Sequence, residues 1–233
     1  MNITEDLGFR RKLIKKMEER EFAVRTGVHC TDLIYCVNKQ ALRKLNPVET
    51  QDKELLLFSL GWATQRWLTG QDEDEPEKIV DGITVTCDAL VDDNVPWELK
   101  CTFQSSSRKI EENAHWLHQI MAQCHVMGAK DAYLSRLEIM GDWKSLFKPK
   151  GFKDWGREEQ LVYENEHQKP TLHAYHLEFT EEEIARNWTW LKERKTLFET
   201  VLESKKLMPK AVALASGQAF ECDWCHYKDE CGG

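Results

Sequence analysis

ITVTCDALVDDNVPWELKCTFQ, residues 83–104, is the stretch on which the fold turns. Read every second residue, it separates into two faces. Ile83, Val85, Cys87 and Ala89 form one, and Thr84, Thr86, Asp88 and Leu90 the other. After a turn over Val91-Asp92-Asp93-Asn94-Val95-Pro96, the residues Trp97, Leu99, Cys101 and Phe103 are apolar, while Glu98, Lys100, Thr102 and Gln104 are polar. Successive side chains of a strand point to opposite sides, so the pattern predicts a hairpin with one core face and one polar face. Asp88, Glu98 and Lys100 fall together on the polar one. A solvated surface would carry the same pattern, and the rest of the chain must decide between them.

The chain has 233 residues, enough to bury a substantial core as one domain or one domain with an elaboration. Its hydrophobic and charged fractions are those of a globular protein in water. No apolar run approaches a membrane span, and the charged start MNITEDLGFRRKLIKK has no apolar targeting core, so a cytoplasmic location without membrane contact is expected. In a reducing compartment eight cysteines point to metal chemistry or buried thiols rather than disulfides. The net charge of −8 argues against coating nucleic acid non-specifically, which relies on many Lys and Arg contacts to phosphates. It leaves room for a local basic groove. Candidate patches are Arg10-Arg11-Lys12 with Lys15-Lys16, the span 144–153, and Lys192-Arg194-Lys195.

Along the chain, residues 5–20 read as a charged helix and 31–45 as a second, opened by Thr31-Asp32 and stopped by Asn46-Pro47. Residues 52–69 carry an apolar stripe at helical spacing behind Asp52. An acidic linker, 72–77, leads to the hairpin. A helix over 113–127 ends at Gly128, a strand lies near 131–140, and a second strand spans 172–179. Thr180 and Glu183 then form a capping box for a helix reaching about 204. This order predicts an α/β domain with a central mixed sheet flanked by helices. Within it, 1–70 is the N-terminal helical part, 78–140 and 171–204 the core, 141–170 an irregular insert and 205–233 a cysteine-bearing tail. Trp62, Trp67 and Trp116 are core candidates, and Trp188 and Trp190 packing residues. No Gly-rich phosphate loop and no Gly-x-Ser-x-Gly elbow is present, which argues against nucleotide-binding and serine-hydrolase chemistry.

The tail FECDWCHYKDECGG holds Cys222, Cys225 and Cys231 in a C-x2-C-x5-C arrangement. Thiolates take soft metals, and both zinc and iron–sulfur clusters want four ligands. The fourth must come from elsewhere. Cys36 and Cys30 are the upstream candidates, and His226 sits within the cluster. Such a clasp closes a loop of nearly the whole chain, and by analogy with a disulfide the chain-entropy term is about 5 kcal/mol. Cys87, Cys101 and Cys124 lie on apolar faces or amid helix residues and read as packing groups.

Taken together, the hairpin and the tail resemble the RecB-like branch of the PD-(D/E)xK nucleases, above all the CRISPR-associated iron–sulfur exonucleases and the nuclease domain of the AddB helicase–nuclease subunit. The resemblance covers most of residues 30–231. Asp88 matches the first carboxylate of the motif, Glu98-Leu99-Lys100 its E-x-K, and Cys222, Cys225 and Cys231 the C-terminal cluster spacing. Cys36, at a helix start after a polar turn, matches the upstream ligand better than Cys30 does. E-x-K alone carries no weight, since Asp142-Trp-Lys144, Glu193-Arg-Lys195 and Glu203-Ser-Lys205 also fit it. Two positions depart from the pattern. Gln65 stands where the branch usually has a His four residues after a Gly. The helix after the hairpin has Gln119-x3-Gln123 in place of Gln-x3-Tyr, a form closer to the phage lambda-type exonucleases.

The resemblance implies a restriction-endonuclease-like core and hydrolysis of phosphodiester bonds in DNA, on single strands or duplex ends. It implies Mg2+ or Mn2+ held by Asp88, Glu98 and the Leu99 carbonyl, with Gln65 as a further ligand candidate. Lys100 would orient the attacking water and stabilise charge on the phosphate, with Gln119 positioning it. Cys36, Cys222, Cys225 and Cys231 would bind a structural 4Fe–4S cluster, zinc being the alternative. DNA is the implied partner, with protein partners in DNA processing or spacer acquisition. In the insert, Trp143, Phe147, Phe152 and Trp155 alternate with Lys144, Lys148, Lys150 and Lys153, a pattern suited to stacking bases beside phosphates. The rival from another class is a non-catalytic, metal-stabilised DNA-binding or assembly module. A thiol redox protein is a weaker rival, because Cys-x-x-Cys redox motifs open a helix, whereas this one closes the chain.

Overall fold

Two tight turns set the strand order. Asp81 and Gly82 both have positive φ (52° and 70°), the backbone of a two-residue turn that only Gly and short polar residues adopt readily. That turn folds β1 (Glu77–Val80) back on β2 (Ile83–Thr86) as a separate two-stranded sheet. The chain then bends at Cys87-Asp88. A second turn at Asp92 and Asp93 (φ 50° and 68°) pairs β3 (Ala89–Val91) with β4 (Val95–Thr102), Ala89 opposite Trp97. The single hairpin expected over 83–104 is therefore corrected. Its first half is claimed by β1, through an Asp-Gly turn that sits in what read as the approach to the hairpin.

The computed structural model describes residues 4, 6–21, 25–48, 50–70, 76–102, 109–139, 149–166, 170–215 and 218–231. From β4 the chain crosses through α5 (Ala114–Met127) to β5 (Asp131–Glu138), which joins β4 in parallel; β6 (Thr171–Glu178) returns antiparallel to β5. The outcome is a four-stranded mixed sheet, β3-β4-β5-β6, flanked by helices, which is the fold class expected. Gly128 closes α5 in the left-handed conformation, φ 72°, donating its N–H to the Cys124 carbonyl. Thr180 and Glu183 form their capping box at the start of α7 (Glu181–Ser204). The remaining helices are α1 (Leu7–Glu21), α2 (Cys30–Ile34), α3 (Val37–Leu45), α4 (Asp52–Thr69), α6 (Arg157–Glu166) and the single turn α8 (Lys210–Ala213). Among the described residues no helix is long and apolar enough to cross a membrane.

The helix expected over 31–45 is broken at Tyr35-Cys36 into α2 and α3. Backbone carbonyls freed inside a protein must find donors. Arg194 of α7 supplies them: Nη2 donates to the Tyr35 carbonyl at 2.6 Å and to the Ala213 carbonyl at 2.9 Å, and Nε donates to the Leu33 carbonyl. One buried guanidinium thus satisfies the break and draws α8 against it.

Two apolar cores flank α5. One joins Leu33 and Val37 to Ile83, Val85, Leu191 and Phe198, and the other joins Trp116, Ile120 and Cys124 to Ala132 and Leu134. Each fully buried side chain of this size contributes about 1.5–3 kcal/mol by removal from water. Trp116 and Trp188 are buried as expected, and Trp190 stacks on His118 with ring centroids 4.3 Å apart. Trp67, expected in the core, is 79% exposed, and Trp62 is half-buried beside Phe58. The reason is geometric: apolar residues are spread around α4, whereas α1 and β4 pack against only part of it.

Within the insert, the described residues 149–166 form a short 3-10 turn and α6 where the sequence read as irregular. Phe152 is buried, within 5.2 Å of Trp155 and 5.5 Å of Tyr163 (ring centroids), and Gln160 of α6 caps the turn by donating to the Phe152 and Trp155 carbonyls. Phe152 is thus a packing group and not a platform for bases. Lys150 and Lys153 are exposed, while Trp143, Lys144, Phe147 and Lys148 lie outside the described residues.

Candidate active site and thiol pocket

Alternation along β4 sends Glu98, Lys100 and Thr102 to one face of the sheet and Trp97, Leu99 and Cys101 to the other. Helix α4 lies on the Cys101 side, where the Thr64 hydroxyl meets Sγ of Cys101 at 3.9 Å. Helix α5 lies on the Glu98 side. The face that read as polar is consequently a buried interface, and Glu98 is only 2% exposed. Burying a carboxylate is tolerable only when donors surround it. Three do. Lys100 Nζ and Gln119 Nε2 donate to Oε1 at 2.5 Å and 2.8 Å, and Gln123 Nε2 donates to Oε2 at 2.5 Å. Lys100 Nζ also donates to Gln119 Oε1 at 2.9 Å, which closes a ring of Glu98, Lys100 and Gln119.

Asp88 stands half-buried at the bend between β2 and β3, and its Oδ2 accepts the Leu99 N–H at 2.6 Å. The first carboxylate is thereby moored to the peptide between Glu98 and Lys100. Burial opposes the charge on Lys100, but Glu98, Tyr35 and Asp88 outweigh it and raise its pKa above the ordinary lysine value. A lysine held protonated can donate hydrogen bonds and stabilise negative charge. It cannot act as a base near neutral pH.

The oxygen donors suit a hard divalent cation. A carboxylate offers about four acceptor directions, and Glu98 spends three on Lys100, Gln119 and Gln123, which leaves one at Oε2 for an ion. Gln65 is half-buried on α4, one residue past Thr64. Gln123 is the residue whose part the sequence reading missed. It is wholly buried, it bridges Glu98 Oε2 to the Thr86 carbonyl (2.9 Å), and among the described residues its Oε1 has no hydrogen-bond partner. Its signal was the i,i+4 spacing from Gln119, which puts both amides on one helix face. The same sheet face continues past Lys100 in register to Arg136 of β5, whose Nη2 meets Glu138 Oε1 at 2.8 Å.

The second constellation lies where the tail meets α3. Cys36, Cys222, Cys225 and Cys231 border one cavity of about 30 Å³. Asn38, Lys39, Lys210, Ala213, Leu214, Glu221 and Lys228 complete the wall. Burial pushes the Cys231 thiol up, and Cys36, Cys225 and Cys222 add to the shift because thiolates so close repel one another. Cys30 does not border this cavity. It is buried toward the carboxylates, and its thiol is pushed up to about 12 by burial and then by Glu98. His226 turns to α4, Nε2 lying 3.0 Å from Glu54 Oε1. Cys87 and Cys124 are fully buried; burial pushes the Cys124 thiol up to about 12 and the Cys87 thiol higher still. Among the described residues, no three His, Cys, Asp or Glu side chains are grouped so as to hold a single metal ion.

No family model and no curated protein sequence matches the chain. Solved structures do. The crystal structure of SSO0001 superposes with a TM-score of 0.56 at 15% identity, over 95% of this chain and 95% of that one. A phage-related exonuclease from Haemophilus somnus 129PT gives a TM-score of 0.48 at 11% identity, over 78% of this chain and 98% of its own. LHK-Exo, an alkaline exonuclease from Laribacter hongkongensis, gives 0.41 at 14% identity, over 76% and 90%. At these identities the likeness speaks to fold alone, and the likeness to SSO0001 spans the length of both chains.

Proposed function

We propose that this chain is a divalent-metal-dependent DNA nuclease that hydrolyses phosphodiester bonds at DNA ends or in single strands. The observation that carries the reading is the buried Glu98–Lys100 pair on β4, with Asp88 moored to the Leu99 N–H between them. Asp88, Glu98 and the Leu99 carbonyl would hold Mg2+ or Mn2+, which when bound neutralises phosphate charge and activates water. The chain's own groups do the rest. Lys100, held protonated, aims Nζ at charge developing on the phosphate and keeps the water in line. Gln119 fixes Lys100 through Oε1 and Glu98 through Nε2, and Gln123 fixes the other Glu98 oxygen. Side chains locked in this way need little reorganisation when substrate arrives.

For the thiol pocket the reading is a structural 4Fe–4S cluster. Zinc would draw four sulfurs to about 2.3 Å from one ion, whereas a cluster spreads its thiolates over separate irons. Four cysteines bordering one cavity match the ligand number of such a cluster, and zinc, which takes the same four thiolates, is the alternative. Mn2+-dependent cleavage of end-labelled DNA tests the activity, with Lys100→Ala as control. Cleavage by the wild type alone supports a nuclease, and negligible cleavage by both supports a DNA-binding module. The visible spectrum and iron content of anaerobically purified protein test the cluster.

A further inference from the structure

We propose that Glu221 is the positioning residue of the thiol pocket, a latch that keeps Cys36 and Cys222 facing each other independently of metal. The inference rests on the reading of that pocket as a metal centre, but its geometry does not. Glu221 directly precedes Cys222 in the short 3-10 turn Ala219–Trp224 and is 5% exposed. Its Oε1 accepts the Cys36 backbone N–H at 3.1 Å, across 185 residues of sequence. One side chain therefore joins the two segments that carry the most widely separated thiols.

The bond acts on the right atom. Cys36 is the N-cap of α3: its carbonyl accepts the Gln40 N–H at 3.0 Å and the Tyr35 carbonyl before it takes Arg194, so its own N–H is the backbone group left for Glu221 to hold. Anchoring its N–H fixes Cα, after which only χ1 remains to swing Sγ. The other oxygen of Glu221, Oε2, is buried and meets Lys39 Nζ at 3.5 Å. A buried carboxylate beside thiolates would repel them unless cations offset it. Lys39 is the cation beside it, though burial still pushes the Glu221 carboxyl above the usual carboxylate range.

Other bonds hold the tail without Glu221. Tyr227 donates its hydroxyl to the Asn46 carbonyl at 2.9 Å, and Asn38 exchanges two hydrogen bonds with the Met208 backbone at 2.8 and 2.9 Å. A change at Glu221 should therefore loosen the pocket and leave the domain folded. The test uses the full chain in two states. In reduced, chelator-treated protein, the alkylation rate of Cys36 and Cys222 is followed by mass spectrometry. Glu221→Ala should raise it about tenfold, the loss of one charge-assisted hydrogen bond. Glu221→Gln keeps an acceptor and should raise it less than about threefold. In loaded protein, Glu221→Ala should release its metal to a chelator about 10–100 times faster, as the loss of outer-shell partners does elsewhere.

Unchanged alkylation in a Glu221→Ala protein with native circular dichroism overturns the proposal. If that variant does not fold, Glu221→Asp, one methylene too short to reach Cys36, replaces it under the same criterion. If the wild type loads no metal, the metal-centre reading fails while the alkylation rates still decide the latch.

Discussion

The carboxylate site and the thiol pocket are assembled in opposite ways. The first is local. Asp88, Glu98, Lys100, Gln119 and Gln123 come from one turn, one strand and the helix that follows it, and their mutual hydrogen bonds span at most 25 residues. The second joins residue 36 to residues 221–231, and its framework bonds cross 159 to 185 residues. Local sites are set by strand alternation and helix spacing. Distant ones depend on the whole fold, so damage should spread differently from each.

The largest expected effect breaks the carboxylate site alone. Glu98→Gln or Lys100→Ala should lower single-turnover DNA cleavage by about 10²–10³-fold. Lys100→Ala should leave iron content unchanged, since the pocket shares no hydrogen bond with Lys100. A parallel loss of iron would break the contrast between the two regions. Next comes Arg194→Leu, which strips donors from the carbonyls of Leu33, Tyr35 and Ala213. It should cost about 3 kcal/mol or more in urea unfolding, at about 1–3 kcal/mol for each buried acceptor left unsatisfied, with alkylation of Cys36 rising before α5 loses amide protection. Simultaneous loss of both would mean that the regions are one cooperative unit. A smaller effect is expected from Gln123→Leu, which leaves Glu98 Oε2 and the Thr86 carbonyl without their donor. About 1–3 kcal/mol of stability should disappear, and Mn2+ affinity measured by calorimetry should change, while the thiol pocket should not respond.

The smallest effect is one of pH. Burial holds the His118 pKa below its ordinary value of 6.5, although the hydrogen bond to Asn187 opposes the shift. The unfolded chain therefore binds the proton more readily than the folded one. Stability from this group is present above about pH 6.5 and is lost as pH falls through the lower folded value. Melting temperatures between pH 5 and pH 8 should show this slope in the wild type and a shallower one in His118→Gln. Equal slopes would remove His118 from the account.

How much of this was legible follows from the same contrast. The Thr180–Glu183 box, the Gly128 stop and the faces of β4 are local patterns, and each appears where the sequence put it. Alternation could identify a polar face on β4, but it could not say that α5 would bury it. Strand content at 83–86 was legible while its partner was not, because the Asp81-Gly82 turn offers β2 a neighbour nearer than β4. Trp67 misled for a related reason: helical spacing reports an apolar stripe, and nothing local reports how much of it another element covers. The break at Tyr35-Cys36 was least legible of all. It is sustained by a guanidinium 159 residues away, and without that partner the segment reads as one continuous helix.

The central claim is that Glu98 and Asp88 hold a divalent ion where Lys100 can act on a phosphate. Its most direct test is single-turnover cleavage of end-labelled single-stranded DNA across a Mn2+ titration, run with wild type, Glu98→Gln and Lys100→Ala. The account predicts saturable Mn2+-dependent cleavage by the wild type, a loss of metal affinity with Glu98→Gln, and near-normal metal binding without cleavage for Lys100→Ala. Wild-type rates in Lys100→Ala, or cleavage that survives chelation of all divalent ions, would contradict it.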